Sequence, residues 1–138
     1  MVAVWANHNT RGEIFDALHR REAYATSGPR ISLQFSAGPE SACAAHPRVQ
    51  KDHTAMGGTL PGATQAGVYF TVSAQMDQTP LAKLQLVKGE LWEGELRETV
   101  LDLFHAEEGQ AQTCVAWLDE DFNPNAPSYW YARASEIP

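Results

Sequence analysis

Basic residues are scarce in this sequence. Lysine and arginine together number 10 against 17 aspartates and glutamates, for a formal net charge of −7. That balance argues against nonspecific nucleic-acid binding and against docking on an anionic membrane surface, so neither is expected as a partner. Long apolar runs are also missing, and none approaches the length of a transmembrane helix. The N-terminal stretch MVAVWANHN has no basic leading region and no long apolar segment, so it does not read as a signal peptide. Cysteine occurs only as Cys43 and Cys114, far apart and with no CxxC pair, which argues against a zinc knuckle. Cys114, in the apolar run TCVAWL, reads as a buried thiol, and Cys43 as part of a small-residue loop. Two cysteines neither demand nor forbid an oxidising compartment, and a disulfide between them ranks below two free thiols. No GxSxG, P-loop, HExxH or dinucleotide fingerprint occurs.

What is present divides the chain in two. Val2 to Ala6 is a short apolar run that reads as a buried strand. A helix should follow. Thr10 and Glu13 have capping-box spacing, so the Thr10 hydroxyl can accept from the Glu13 amide while the Glu13 carboxylate reaches back. Glu13 and Asp16 lie early, and His19, Arg20 and Arg21 late, both in keeping with the helix dipole. Ile14, Phe15, Ala17 and Leu18 form an apolar stripe expected to pack on a core. Ser27-Gly28-Pro29 is expected to stop the helix, because proline biases the residue before it away from helical backbone. Such a strand-helix unit normally belongs to a parallel sheet or barrel. Nothing later in the chain supplies another, which suggests a piece of something larger.

From Ile31 the period changes to two. Ile31–Phe35 alternates as a strand, and Ala37–Gly58 reads as a long polar loop followed by a turn at 56–61. Val68, Phe70, Val72, Ala74 and Met76 alternate against Tyr69, Thr71, Ser73 and Gln75. Further strands are expected at Leu81–Lys88, Leu96–Phe104, Thr113–Leu118 (apolar enough to be central) and Ser128–Ala134. Turns are expected at Asp77–Pro80, Lys88-Gly89-Glu90, His105–Gln110 and Asp119–Pro127. Short strands separated by turn signals indicate an antiparallel β-sandwich.

Chemistry-bearing residues are few. The 5 histidines include no HxH or HxxxH pair. His8 lies in the strand-to-helix loop, the place where barrel enzymes carry functional groups, and is the histidine of most interest. His46 and His53, with Arg48, Lys51 and Asp52, offer at most a weak metal site. Asp119-Glu120-Asp121 is oxygen-rich, but it lacks the glycine and terminal glutamate of an EF-hand and reads as an acidic turn capping two strands. Glu93, Glu95, Glu98 and Asp102 read as a solvated face, and Ser27 has no paired base. Tyr129, Trp130 and Tyr131 alternate as core and cross-strand packing, with a sugar-binding face as the functional alternative.

The segment VWANHNTRGEIFDALHRREAYATSGPRI resembles the junction segment of a large bacterial domain-of-unknown-function family related to the PHP (polymerase and histidinol phosphatase) metallohydrolases. MGGTLP, LAKLQLVKGEL and DEDFNPNAPSYWYARASEIP match the same family in order. The chain departs from it at Asn7-His8, where acidic residues are usual. The resemblance implies that residues 1–30 are the last strand and helix of a PHP-like barrel and residues 31–138 a C-terminal β-sandwich-like domain. The family's metal motifs lie upstream of this junction, so no metal ligand and no catalytic residue is assigned here. A divalent metal is expected in the parent's upstream barrel.

The expected fold is therefore mainly β, an antiparallel sandwich preceded by one strand and one helix. The expected function is a non-catalytic C-terminal domain of a PHP-like metal-dependent hydrolase of the phosphoesterase class. A carbohydrate- or protein-binding sandwich is the alternative. A small self-contained enzyme using His8 and Arg30 ranks below both, and those two residues are the candidate binding positions. The expected partners are the upstream barrel and, through the N-terminal strand and helix, a second copy of the chain.

Overall fold

The alternation that begins near Ile31 becomes two antiparallel sheets packed face to face in a computed structural model of the chain. The structure describes residues 1–43, 52–60 and 67–138. In chain order the elements are β1 (Val2–Val4), α1 (Arg11–His19), β2 (Ala23–Ala25), β3 (Ser32–Gly38), β4 (Thr54–Ala55), β5 (Val68–Gln75), β6 (Leu81–Trp92), β7 (Glu95–Gln110), β8 (Gln112–Asp119) and β9 (Ser128–Glu136). One sheet has the order β4-β3-β5-β8 and the other β7-β6-β9. β1 and β2 form a separate two-stranded ribbon.

The core follows from strand alternation. Val68, Phe70, Val72 and Ala74 of β5 point inward and meet Leu81, Leu84 and Leu86 of β6. Each large aliphatic side chain so buried contributes about 1.5–3 kcal/mol relative to exposure. Phe70 is the aromatic hub. Its ring centroid lies 4.7 Å from Trp130, 6.0 Å from Phe35 and 6.2 Å from Trp117. Trp130 is thus a core residue, and Tyr129 and Tyr131 turn to the opposite face of β9, as period-two geometry requires.

The N-terminal unit departs from expectation in three ways. β1 pairs antiparallel with β2 through Val2↔Ala25 and Val4↔Ala23, a ribbon pairing that the sequence did not suggest. The helix is capped as expected, with the Glu13 amide donating to Thr10 Oγ1 at 3.3 Å. It ends at His19, well before Ser27-Gly28-Pro29. The Arg21 amide donates to Leu18 O and the Glu22 amide to Ala17 O, both at 3.0 Å, and Arg21 takes φ 62°. That is a Schellman ending, with an arginine in the left-handed position that glycine usually holds. Gly57 packs against this turn, where a β-carbon would lie 2.2 Å from the Arg21 carbonyl oxygen. Of the apolar stripe, only Ala17 is buried.

Two expected turns are strand. β6 runs through Lys88-Gly89-Glu90 to Trp92, and the hairpin turns at Glu93-Gly94, with φ 51° and 85°. Positive φ at both central positions is what a tight hairpin loop needs to match strand twist. Gly89 is in the strand for another reason: the Tyr129 ring lies directly over it. His105–Gln110 stays in β7 because Lys83 and Leu81 of β6 supply partners for His105 and Gln110, with irregular register near Leu81. β8, expected to be central, is an edge strand.

Cys114 is not a free buried thiol. It forms a disulfide with Cys43, with Cα atoms 5.6 Å apart. Cys114 faces outward from β8, beside Ser73 of β5. The Ala42 amide donates to Thr71 Oγ1 at 3.0 Å, which lays the Ala42-Cys43 segment across that outer face.

Candidate functional site

His8 and Arg30 both lie at the surface in connecting segments. The His8 carbonyl accepts from the Thr10 amide at the entrance to α1. The Arg30 amide donates to Asp77 Oδ2 at 3.0 Å, tying the approach to β3 to the β5–β6 turn. Among the described residues no hydrogen bond or ion pair joins them to each other.

His46, Arg48 and Lys51 lie outside the described residues. His53 Nε2 is 2.9 Å from the Glu40 carbonyl oxygen, and its ring lies against Gly38, where a β-carbon would clash at 2.4 Å. Among the described residues no group of three or more His, Cys, Asp or Glu side chains is arranged to hold a metal ion. Asp119 turns inward to Lys88, with Nζ to Oδ2 at 2.8 Å. The segment after it folds as a polar turn, in which Asn123 Oδ1 accepts from the Asn125 amide at 3.0 Å. The acidic stretch thus closes the end of the sandwich.

The outer face of the β7-β6-β9 sheet carries the perturbed titrating groups. Tyr129 donates its hydroxyl to Glu98 Oε1 at 2.6 Å, and this bond raises the phenol pKa above its ordinary value. Asp102 accepts from Gln85 Nε2 at 2.6 Å and sits 3.7 Å from Lys83 Nζ; the hydrogen bond, followed by the lysine charge, lowers its pKa. Tyr129 and Tyr131 stack with centroids 6.3 Å apart.

Two hollows stand out. One, about 390 Å³, opens along the seam between the sheets beneath β2 and is walled by Tyr24, Phe35, Met56, Phe70 and Trp130. The other, about 440 Å³, lies on the outer face of the β3-β5-β8 layer, between Trp5 and the Cys43–Cys114 disulfide. Its floor follows from register. Ser32, Gln75 and Gln112 lie side by side across three strands, and Gln34, Ser73 and Cys114 form the next rung. All are outward positions of alternating strands. The sequence shows that alternation within each strand but not the register that gathers these residues.

The model of the family described as a protein of unknown function (DUF3604) matches residues 1–108. The chain belongs to that family. In this DUF3604 chain the matched span runs from β1 through most of β7. The acidic turn and β9, part of the resemblance read from the sequence, lie beyond the matched residues. No curated protein and no solved structure matches the chain.

Proposed function

We propose that this DUF3604 chain serves as the non-catalytic C-terminal β-domain of a bacterial PHP-like metal-dependent hydrolase of the phosphoesterase class, buttressing a barrel that carries the chemistry. The observation that carries this reading is the apolar surface left on the N-terminal unit. Val2 is 66% exposed, Phe15 65% and Leu18 48%. β1 has β2 on one side only, so its other edge is free among the described residues. A free strand edge beside a bare apolar helix face suits a covering domain. The divalent metal of the PHP group finds no matching donor set among the described residues, so no catalytic step is assigned to them.

The test is elemental analysis and hydrolysis of a phosphoester panel with added manganese or zinc, for this chain alone and for the chain with its upstream-encoded sequence. The expected result is turnover in the longer protein alone. Stoichiometric metal with turnover in this chain by itself would overturn the proposal.

A binding module is the second reading, and the cleft on the β3-β5-β8 face, uncharged among the described residues, favours it. The Tyr129–Tyr131 pair supports it less, since the Tyr129 hydroxyl is already engaged by Glu98 and its ring covers Gly89.

A further inference from the structure

The cleft between Trp5 and the disulfide is unusual in this acidic chain because, among the described residues, no charged side chain lines it. Ser32, Gln34, Ser73, Gln75 and Gln112 converge on it. Among the described residues none of these five side chains has a hydrogen-bond partner within the protein. The strands that carry them are spaced about 4.8 Å apart, so the Ser32–Gln75–Gln112 rung extends about 10 Å. Hydroxyls and primary amides each donate and accept. The site therefore offers a ladder of mixed, neutral donors and acceptors on a rigid sheet.

Elimination narrows the ligand. Among the described residues an anion would find no lysine or arginine in the cleft, and a metal cation no carboxylate. An extended peptide is recognised through the free backbone of a strand edge. Here the floor is the face of β3 and β5, with β5 hydrogen-bonded on both sides, and the one free edge at the cleft is that of β8 at its rim, beside the floor rather than across it. A ligand rich in hydroxyl groups and free of charge meets every side chain the cleft offers. We propose that this cleft binds a neutral saccharide, with Gln34, Gln75 and Gln112 hydrogen-bonding its hydroxyls. The proposal rests on the binding-module reading and assigns that reading a site and a ligand class.

The test is affinity electrophoresis of the purified chain through gels containing neutral polysaccharides (starch, mixed-linkage β-glucan, xylan and mannan), with pectate as an anionic comparison. Three proteins are run: the native chain, Gln75→Ala/Gln112→Ala and Tyr129→Ala/Tyr131→Ala. Gln75 and Gln112 are exposed, so their loss should leave the thermal midpoint unchanged. Retardation by at least one neutral polysaccharide is expected, weakened about tenfold or more in the glutamine variant and unchanged in the tyrosine variant. No retardation in any neutral gel, or retardation by pectate alone, overturns the proposal. Retardation that survives the glutamine changes and disappears with the tyrosines overturns the cleft while sparing the binding-module reading.

Discussion

Lys88 and Asp119 meet at 2.8 Å between the two sheets, with side chains only 12% and 3% exposed. Lys88 belongs to β6 and Asp119 ends β8, so the pair links the two layers. The ammonium also lies 5.9 Å from the centre of the Trp130 ring. Removing Asp119 leaves the half-buried Lys88 ammonium with only the longer contact to Glu90 Oε2, at 3.9 Å. Asp119→Ala should therefore cost about 3 kcal/mol or more, whereas Lys88→Met combined with Asp119→Leu should cost far less. Urea unfolding of the two variants measures the difference. Equal losses would mean that the charge pairing itself is not what matters at this position.

The disulfide closes a span of 71 residues. Chain-entropy arithmetic gives about 4 kcal/mol for a loop of that length. Thermal unfolding with and without dithiothreitol should show a large drop in midpoint on reduction, matched by Cys43→Ser. Cys43 is exposed, so mild reductant should reach the bond. Protein made under oxidising conditions should carry no free thiol by colorimetric assay, and protein kept reduced should carry both. An unchanged midpoint after full reduction would remove the bond from the account of stability.

The mainly β, sandwich-like fold was legible in the sequence because it is written locally. Val68 to Met76 alternates, and so do Leu84 and Leu86 on the inner face that the structure buries, whereas Leu81 takes the place expected of Ala82 through the register shift between Leu81 and Lys83. The Thr10 cap was equally local. What could not be read depends on partners distant in sequence. Gly89 resembles a turn residue until Tyr129 is known to cover it. Cys114 resembles a core thiol until β8 proves to be an edge strand with that residue facing out toward Cys43. The helix ends on an arginine in left-handed backbone, a conformation for which arginine gives no local signal. The polar cleft belongs to the same class, since its rungs exist only through cross-strand register.

Gly89, Tyr129 and Glu98 should respond together to pH and to substitution. The Glu98 hydrogen bond raises the Tyr129 pKa, so the fold favours the neutral phenol. That contribution is whole below the ordinary tyrosine value of 10.0 and is lost as pH rises through the folded value. Asp102 has the opposite sign. Its lowered pKa gives a contribution present above the ordinary carboxylate value of 3.8 and lost as pH falls through the folded value. In Glu98→Gln, the tyrosinate absorbance transition should move down toward the ordinary range. Gly89→Ala should destabilise by about 1–3 kcal/mol, since its new methyl would displace the Tyr129 ring. A Tyr129 transition unmoved by Glu98→Gln would remove the hydrogen bond as the cause.

Phe15 and Leu18 separate stability from association. Both are exposed on α1, so Phe15→Ser/Leu18→Ser should change unfolding free energy by no more than about 0.5 kcal/mol per site. The apolar face they share with the edge of β1 should nonetheless draw copies of the isolated chain together. Sedimentation is expected to show a dimer that forms as concentration rises and a serine variant that remains monomeric. A native chain monomeric at every concentration would exclude self-pairing through this face. The upstream domain would then be the partner to test, by asking whether it protects the α1 amides from hydrogen exchange in the longer protein. Loss of stability in the serine variant would instead mean that the helix face is already packed within the chain, and the buttress proposal would lose the observation that carries it.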